Sequence, residues 1–408
     1  MKKYLLFPLF ALNCLLLVIL TACEPNTPVT PVNPSDPSDT SAVTPSDTTI
    51  VEPIPDHYDS LILQMTLRER VGQLFCIRPE ALDTTINIHN YELQAAMLQS
   101  VNDRMLALNE RYPVGGVILY AHNINHETQL IRFTEQLHAL NGHPLLYIDE
   151  EGGRVVRIAN NSNFNVEKFT SMTAIGNTGN PQNAYNCGHA IGTYLHKYGL
   201  DVDLAPVADV NTNPDNIVIG NRAFSNDPQV AAPMVTKYLL GLKHAGIVGC
   251  LKHFPGHGDT QTDTHYGYAE TLKTWPEMLE CEMITFKAGI DAGARMIMTA
   301  HVAAPNVTGS AIPSTMSSVM LQDKLRGELG YENIIITDGM EMGAITQQYT
   351  PGNAAVGCLQ AGVDIILGPE DFITAFEAVM HAVEVGTIPE WRINQSVRRI
   401  LMLKENRP

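Results

Sequence analysis

Short, uninterrupted apolar runs recur along the chain, and most are separated by stretches with helical spacing of apolar positions. The runs are Leu74–Ile77, Gly116–Tyr120, Leu145–Ile148, Val202–Ala205, Val248–Leu251, Met296–Thr299, Ile334–Thr337 and Asp364–Leu367. A continuous run of this length reads as a strand buried on both faces, and the crossovers between parallel strands are usually helices. Amphipathic segments such as Thr128–Leu140, Ala184–Tyr198, Gln229–Ala245 and Trp275–Ala292 supply such crossovers. Thr66-Leu67-Arg68-Glu69 carries the capping-box pattern and opens a helix whose apolar face continues through Val71 and Leu74. Eight strand–helix units over roughly 340 residues predict an α/β fold, a (β/α)8 TIM-type barrel forming one catalytic domain. The rival is an open doubly wound sheet, but no Gly-rich phosphate fingerprint follows the first run. The tail Arg392–Lys404 has apolar residues at 393, 397, 400, 401 and 403, which predicts a last helix packed on the body. No stretch of ordinary domain size follows it.

The N-terminal part reads differently. Lys2-Lys3 precede a mostly apolar segment, Tyr4 to Leu20, and Leu20-Thr21-Ala22-Cys23 ends it with small residues before a cysteine. These four residues resemble the lipobox of bacterial lipoproteins, which implies a signal peptide over 1–22, cleavage before Cys23 and lipidation of its thiol. An uncleaved span is the alternative, and about 17 apolar residues is at its short limit. Glu24 to Pro55 holds eight prolines and no lysine or arginine, the composition of an extended tether. Residues 23–57 are therefore expected to hold the domain, 58–408, away from a membrane that it touches only through lipid. The expected location is the bacterial cell envelope.

Composition narrows the function classes. A charged content of 17% with 45% apolar residues fits a globular protein with a sizeable core, and a net charge of −17 argues against nucleic acid as a partner. Past Cys23 lie five cysteines, an odd number with no C-x-x-C pair. Cys76 and Cys250 fall inside apolar runs and read as small core residues, not zinc ligands or a disulfide framework. One bridge among the five stays open.

Catalytic groups of a barrel come from the C-terminal ends of its strands. Three runs end in candidate chemistry. After Leu145–Ile148 come Asp149 and, beyond a Gly-Gly turn, Arg157; the first can accept and the second donate hydrogen bonds to an oxygen-rich ligand, unless both belong to a solvated turn. After Ile334–Thr337 comes Asp338, a nucleophile candidate at a very apolar strand end, or else the N-cap of the next helix with Glu341 three residues on. After Val248–Leu251 comes the densest cluster, Lys252-His253-Phe254-Pro255-Gly256-His257-Gly258 and then Asp263 and His265. An aspartate close to a histidine fixes its tautomer and raises its basicity. Metal binding by His253, His257, Asp259, Asp263, His265 and His301 is the competing reading, although Pro255-Gly256 breaks any helix that would align the first two. Arg222, in IGNRAFSNDP, is a further binding candidate, whereas Asp201, Asp203 and Asp209 fit structural roles.

Four of these stretches, KHFPGHGDTQTDTH (252–265), IDEEGGRVVR (148–157), IGNRAFSNDP (219–228) and TDGMEMGAI (337–345), resemble the family-3 glycoside hydrolases, and most of all their single-barrel β-N-acetylglucosaminidase branch. The resemblance spans roughly Leu61 to Lys404. It implies Asp338 as nucleophile and Asp263–His265 as a dyad in which histidine is the general acid/base. It implies that Asp149, Arg157, Arg222, Lys252 and His253 bind the N-acetylglucosamine ring, and that no metal or cofactor is required. Where two-domain relatives bring the acid/base from a second domain, this barrel is expected to supply its own. Two positions depart from the pattern: Thr264 stands where relatives usually have serine, and Gly339 where many have a second aspartate. The expected activity is retaining removal of terminal β-linked N-acetylglucosamine from a small saccharide or muropeptide. Phosphorolysis, a β-glucosidase, a metal-dependent hydrolase and a non-catalytic glycan-binding lipoprotein are the alternatives. Without substrate, the loop carrying His265 is expected to be mobile and to hold it away from Asp338, while the strand end at Lys252 is rigid.

Overall fold

Eight parallel strands close a barrel in the computed structural model, which describes residues 56–86 and 98–408. In chain order they are β1 (Phe75–Ile77), β2 (Gly116–Leu119), β3 (Leu145–Ile148), β4 (Val202–Asp203), β5 (Val248–Phe254), β6 (Met296–Thr299), β7 (Ile334–Thr337) and β8 (Ile366–Leu367). Each pairs with its sequence neighbour through β7, and β8 returns to β1 with Phe75 opposite Ile366. The seam between β7 and β8 is short: Thr337 donates to the Ile365 carbonyl at 3.0 Å and Ile365 to that of Ile335 at 3.1 Å. Every strand residue is buried, because the inner face fills the barrel and the outer face lies under helices. The eight apolar runs are thus the eight strands.

The helices start where their sequences say they should. Thr66 and Glu69 form the reciprocal capping box. Pro181–Lys197 and Pro228–His244 each open on proline behind an Asn180 or Asp227 cap, since proline lacks only an N–H that the first turn would leave unpaired. Trp275–Ala292 is not one helix but two, Trp275–Leu279 and Glu282–Asp291. The break turns the Glu282 carboxylate inward to pair with Lys273, and Glu282 packs where Gly256 has no side chain.

The last helix, Glu390–Glu405, buries Ile393, Val397, Ile400 and Leu403. It is bolted to the β7–β8 seam through Asp364, which is fully buried and accepts from Arg326 at 2.7 Å, Arg399 at 3.0 Å and the Ile335 amide at 2.9 Å. The five cysteines of the barrel domain are free, and all but Cys281 are buried. Residues 1–22, Cys23 and the proline-rich stretch to Pro55 lie outside the described residues.

Candidate active site

The strand ends converge on a cleft of about 540 Å³ at the C-terminal mouth of the barrel. β3 delivers Asp149 directly. The next residue, Glu150, organises the loop behind it: its carboxylate accepts from the Arg157, Ile158 and Ala159 amides at 2.5, 2.9 and 2.8 Å and from the Tyr194 hydroxyl at 2.9 Å. Gly152 and Gly153 adopt left-handed φ of +82° and +77°, so the chain reverses and Glu151 can donate to the Val155 carbonyl at 2.9 Å. Arg157 is thereby brought back to Asp149, 3.0 Å from Oδ2.

β5 runs further than its apolar residues suggest. It continues to Phe254, with Val207 bridging Lys252 and Phe254 paired to Thr299, so Lys252 and His253 sit within the strand and not after it. A lysine is tolerated there because two carboxylates meet it, Asp149 Oδ1 at 2.9 Å and Glu151 Oε1 at 2.7 Å. Burial opposes the Lys252 charge, but these partners outweigh it and raise its pKa. Arg222 grips Glu151 with Nε at 2.8 Å and Nη2 at 2.7 Å. Burial opposes ionisation of Glu151 too, and Arg222 and Lys252 overcome it, holding the carboxyl at about 2.

Arg222 Nη2 also lies 3.3 Å from His253 Nε2. A guanidinium only donates, so Nε2 is an acceptor and the ring proton sits on Nδ1, 2.7 Å from Asp209 Oδ2. Asp209 takes the His257 amide with its other oxygen at 2.7 Å, and the His257 ring is held by Thr260 and Thr264 at 2.7 and 3.1 Å. His257 is therefore a buried brace for the turn.

β7 delivers Asp338. The next helix begins at Gly343 behind a Met342 cap, so Asp338 caps nothing and its carboxylate lines the cleft. Oδ1 accepts from the Gly339 amide at 2.8 Å. Burial works against its ionisation, yet the Gly339 amide and the Lys252 charge favour the carboxylate, and its pKa lies below the usual carboxylate range. His301 donates from Nε2 to the Gly339 carbonyl at 2.9 Å, bracing the backbone behind Asp338, and burial lowers its pKa. Glu341 pairs with Arg78. Its carboxylate occupies space that two glycines leave open, since a Cβ on Gly339 or Gly368 would come within 2.9 or 2.5 Å of Oε2. Tyr120 lies between the guanidinium groups of Arg78 and Arg157, 5.0 and 5.5 Å from its ring centre.

Asp263 and His265 meet locally: Oδ1 of the aspartate accepts from the His265 amide at 2.9 Å and faces Nδ1 at 2.7 Å. Nδ1 is committed to the aspartate, which leaves Nε2 for chemistry. The backbone of the His265 loop is tied to the segment following Asp338. Gly343 donates to the His265 carbonyl at 3.1 Å, Ala344 to Thr264 at 3.1 Å and Gln347 Nε2 to Tyr266 at 2.9 Å. His265 and Asp338 line the same cleft.

All the binding candidates, Asp149, Arg157, Arg222, Lys252 and His253, line that cleft as well, with Asp263 beside His265. Among the described residues, no three His, Cys, Asp or Glu side chains form a set that could hold a metal ion. Sequence reasoning passed over Glu150, Glu151, Arg78 and Tyr120. Glu150 and Glu151 carried a signal, two adjacent carboxylates straight after a buried strand. Arg78 follows β1 without any motif, and nothing local marks it.

The profile of the "Glycosyl hydrolase family 3 N terminal domain" matches residues 66–403. "Beta-hexosaminidase A" of Pseudoalteromonas piscicida is 34% identical over 345 residues, which is 77% of this chain and 57% of that protein. "Beta-hexosaminidase" of Nitrosomonas eutropha is 33% identical over 308 residues, 72% of this chain and 86% of that one. A solved glycoside hydrolase family 3 beta-N-acetylglucosaminidase from Paenibacillus sp. str. FPU-7 superposes with a TM-score of 0.74 at 34% identity, covering 84% of this chain and 62% of its own. The chain thus spans less than two thirds of the Pseudoalteromonas and Paenibacillus proteins.

Proposed function

The chain belongs to glycosyl hydrolase family 3, and from that premise we propose that it is a retaining, exo-acting β-N-acetylhexosaminidase that releases terminal β-linked N-acetylglucosamine. The observation that carries this reading is that Asp338 and His265 line one cleft, with Asp263 holding His265 Nδ1. Asp338 attacks the anomeric carbon while the bond to the leaving oxygen breaks and His265 Nε2 gives that oxygen its proton. Water then adds to the same carbon, returns a proton to Nε2 and releases the Asp338 ester. Asp149, Arg157, Arg222, Lys252 and His253 hold the ring hydroxyls. Arg157, Arg222 and Lys252 pair with the carboxylates of Asp149 and Glu151, so these buried charges offset one another.

Peptidoglycan fragments are the proposed substrate, because a lipid on Cys23 would station the domain in the cell envelope beside them. Labelling with a fatty-acid probe, lost in Cys23→Ala, tests that address. The activity itself is tested with aryl β-glycosides, glucoside against N-acetylglucosaminide, with and without inorganic phosphate, followed by muropeptide digestion. Asp338→Ala is expected to abolish turnover. Unchanged turnover in that variant, or a preference for the glucoside, overturns the proposal; a sugar phosphate as product replaces hydrolysis by phosphorolysis.

A further inference from the structure

The imidazole of His265 is 60% exposed, so packing does not hold it in place. Asp263 fixes the direction of its ring through Nδ1, but that aspartate sits on the same loop and moves with it. Asp338, in contrast, leaves the end of a buried strand. The separation of the two groups therefore depends on where the backbone of the His265 loop is seated.

Two residues outside the cleft do the seating. At Gly343 the two backbones come so close that a Cβ would stand 2.9 Å from the His265 carbonyl oxygen and 3.0 Å from the Tyr266 carbonyl carbon. The backbone there is helical and its φ is not left-handed, so the approach of the loop, and not the turn, is what requires a glycine. The Gly343 and Ala344 amides begin that helix and have no partner inside it; they donate to the His265 and Thr264 carbonyls, each at 3.1 Å. Gln347, one turn on, adds the one side-chain bond between the two segments among the described residues, from Nε2 to the Tyr266 carbonyl at 2.9 Å. Gln347 is exposed, and neither it nor Gly343 lines the cleft.

We propose that Gly343 and Gln347 are positioning residues for the acid/base: they dock the His265 loop on the chain that leaves Asp338 and so set the distance between His265 Nε2 and the nucleophile. The proposal rests on the hydrolase reading above and deepens it. Neither residue touches the substrate. An undocked loop would leave Asp338 and the ring-binding groups where they are and lose only the delivery of the proton.

The test compares two β-N-acetylglucosaminides: the phenyl glycoside, whose leaving oxygen needs a proton, and the 2,4-dinitrophenyl glycoside, whose phenolate leaves without one. On each, kcat/KM reads formation of the glycosyl-enzyme. Gln347→Glu keeps the size of the side chain but offers no N–H, and Gln347→Ala removes it. Both are expected to lower kcat/KM for the phenyl glycoside about tenfold, as loss of one hydrogen bond would, and to leave the dinitrophenyl glycoside unchanged. Because Gln347 is exposed, its variants should keep the wild-type Tm. Gly343→Ala is expected to show the same split with a larger loss, since its Cβ would push the loop away. An equal loss on both substrates, or no loss on the phenyl glycoside while the wild type cleaves both, overturns the docking role and leaves the hydrolase reading standing. A wild type that cleaves neither overturns both.

Discussion

Replacing Glu151 by glutamine should damage stability and substrate binding together, and the structure sets the size of each effect. The carboxylate is 1% exposed and joins Arg222, at 2.8 and 2.7 Å, to Lys252, at 2.7 Å. Its pKa falls from 4.5 to about 2 in the folded state. A depression of that order corresponds to about 3 kcal/mol of preference for the charged form in the native protein. The sign follows: with the folded value below the unfolded one, this stabilisation is complete above the unfolded pKa near 4.5 and disappears as pH falls toward 2. The glutamine side chain would keep the shape and forfeit the charge, leaving two cations facing a neutral amide. Removing one partner from a buried ion pair costs about 3–5 kcal/mol, in agreement with that figure. With an unfolding entropy of about 2.1 cal/mol/K per residue over roughly 350 residues, 3 kcal/mol lowers Tm by about 4 °C. The same substitution frees Arg222, and loss of one charged hydrogen bond to the sugar lowers kcat/KM by about 10- to 100-fold. Differential scanning calorimetry at pH 7 and pH 3, with steady-state kinetics on an aryl N-acetylglucosaminide, reads both. A variant whose Tm matches the wild type at pH 7, or whose Tm deficit is the same at both pH values, refutes the reasoning.

Asp263→Asn should lower kcat by about 10²- to 10⁴-fold, because the 2.7 Å contact that orients His265 Nδ1 loses its charge; kinetics on leaving groups of different acidity should show the smallest loss for the best leaving group. Gly339→Asp places a second aspartate after Asp338, where its Cβ would stand 2.9 Å from Glu341 Oε2 and bring a third carboxylate beside Asp338 and Glu341. Reduced Tm and activity are expected, with partial rescue in Gly339→Asp combined with Glu341→Ser; a single variant as active and stable as the wild type would show that Glu341 yields freely.

Local contacts were legible because they need only a few residues. The capping box at Thr66, the proline-opened helices and the Asp263–His265 pair all lie within a handful of positions, and their spacing specifies them. The eight strands were legible for a related reason: burial on both faces forces a continuous apolar run that any reader of the chain can count. The boundary of β5 was not, because Lys252 breaks the run. Its charge is neutralised by Asp149, 103 residues away, and only closure of the barrel brings the two together.

The sequence by itself determined the number and order of the strands, the groups at their ends and the pairing within the dyad, since each follows from short-range pattern. Tertiary structure alone decided which of those groups share a cleft. It made Glu151 the link between Arg222 and Lys252, seated Glu341 in the space of two glycines and tied the His265 loop to the residues after Asp338. Those outcomes depend on distances between segments far apart in the chain, which the closure of the barrel fixes and no local pattern encodes.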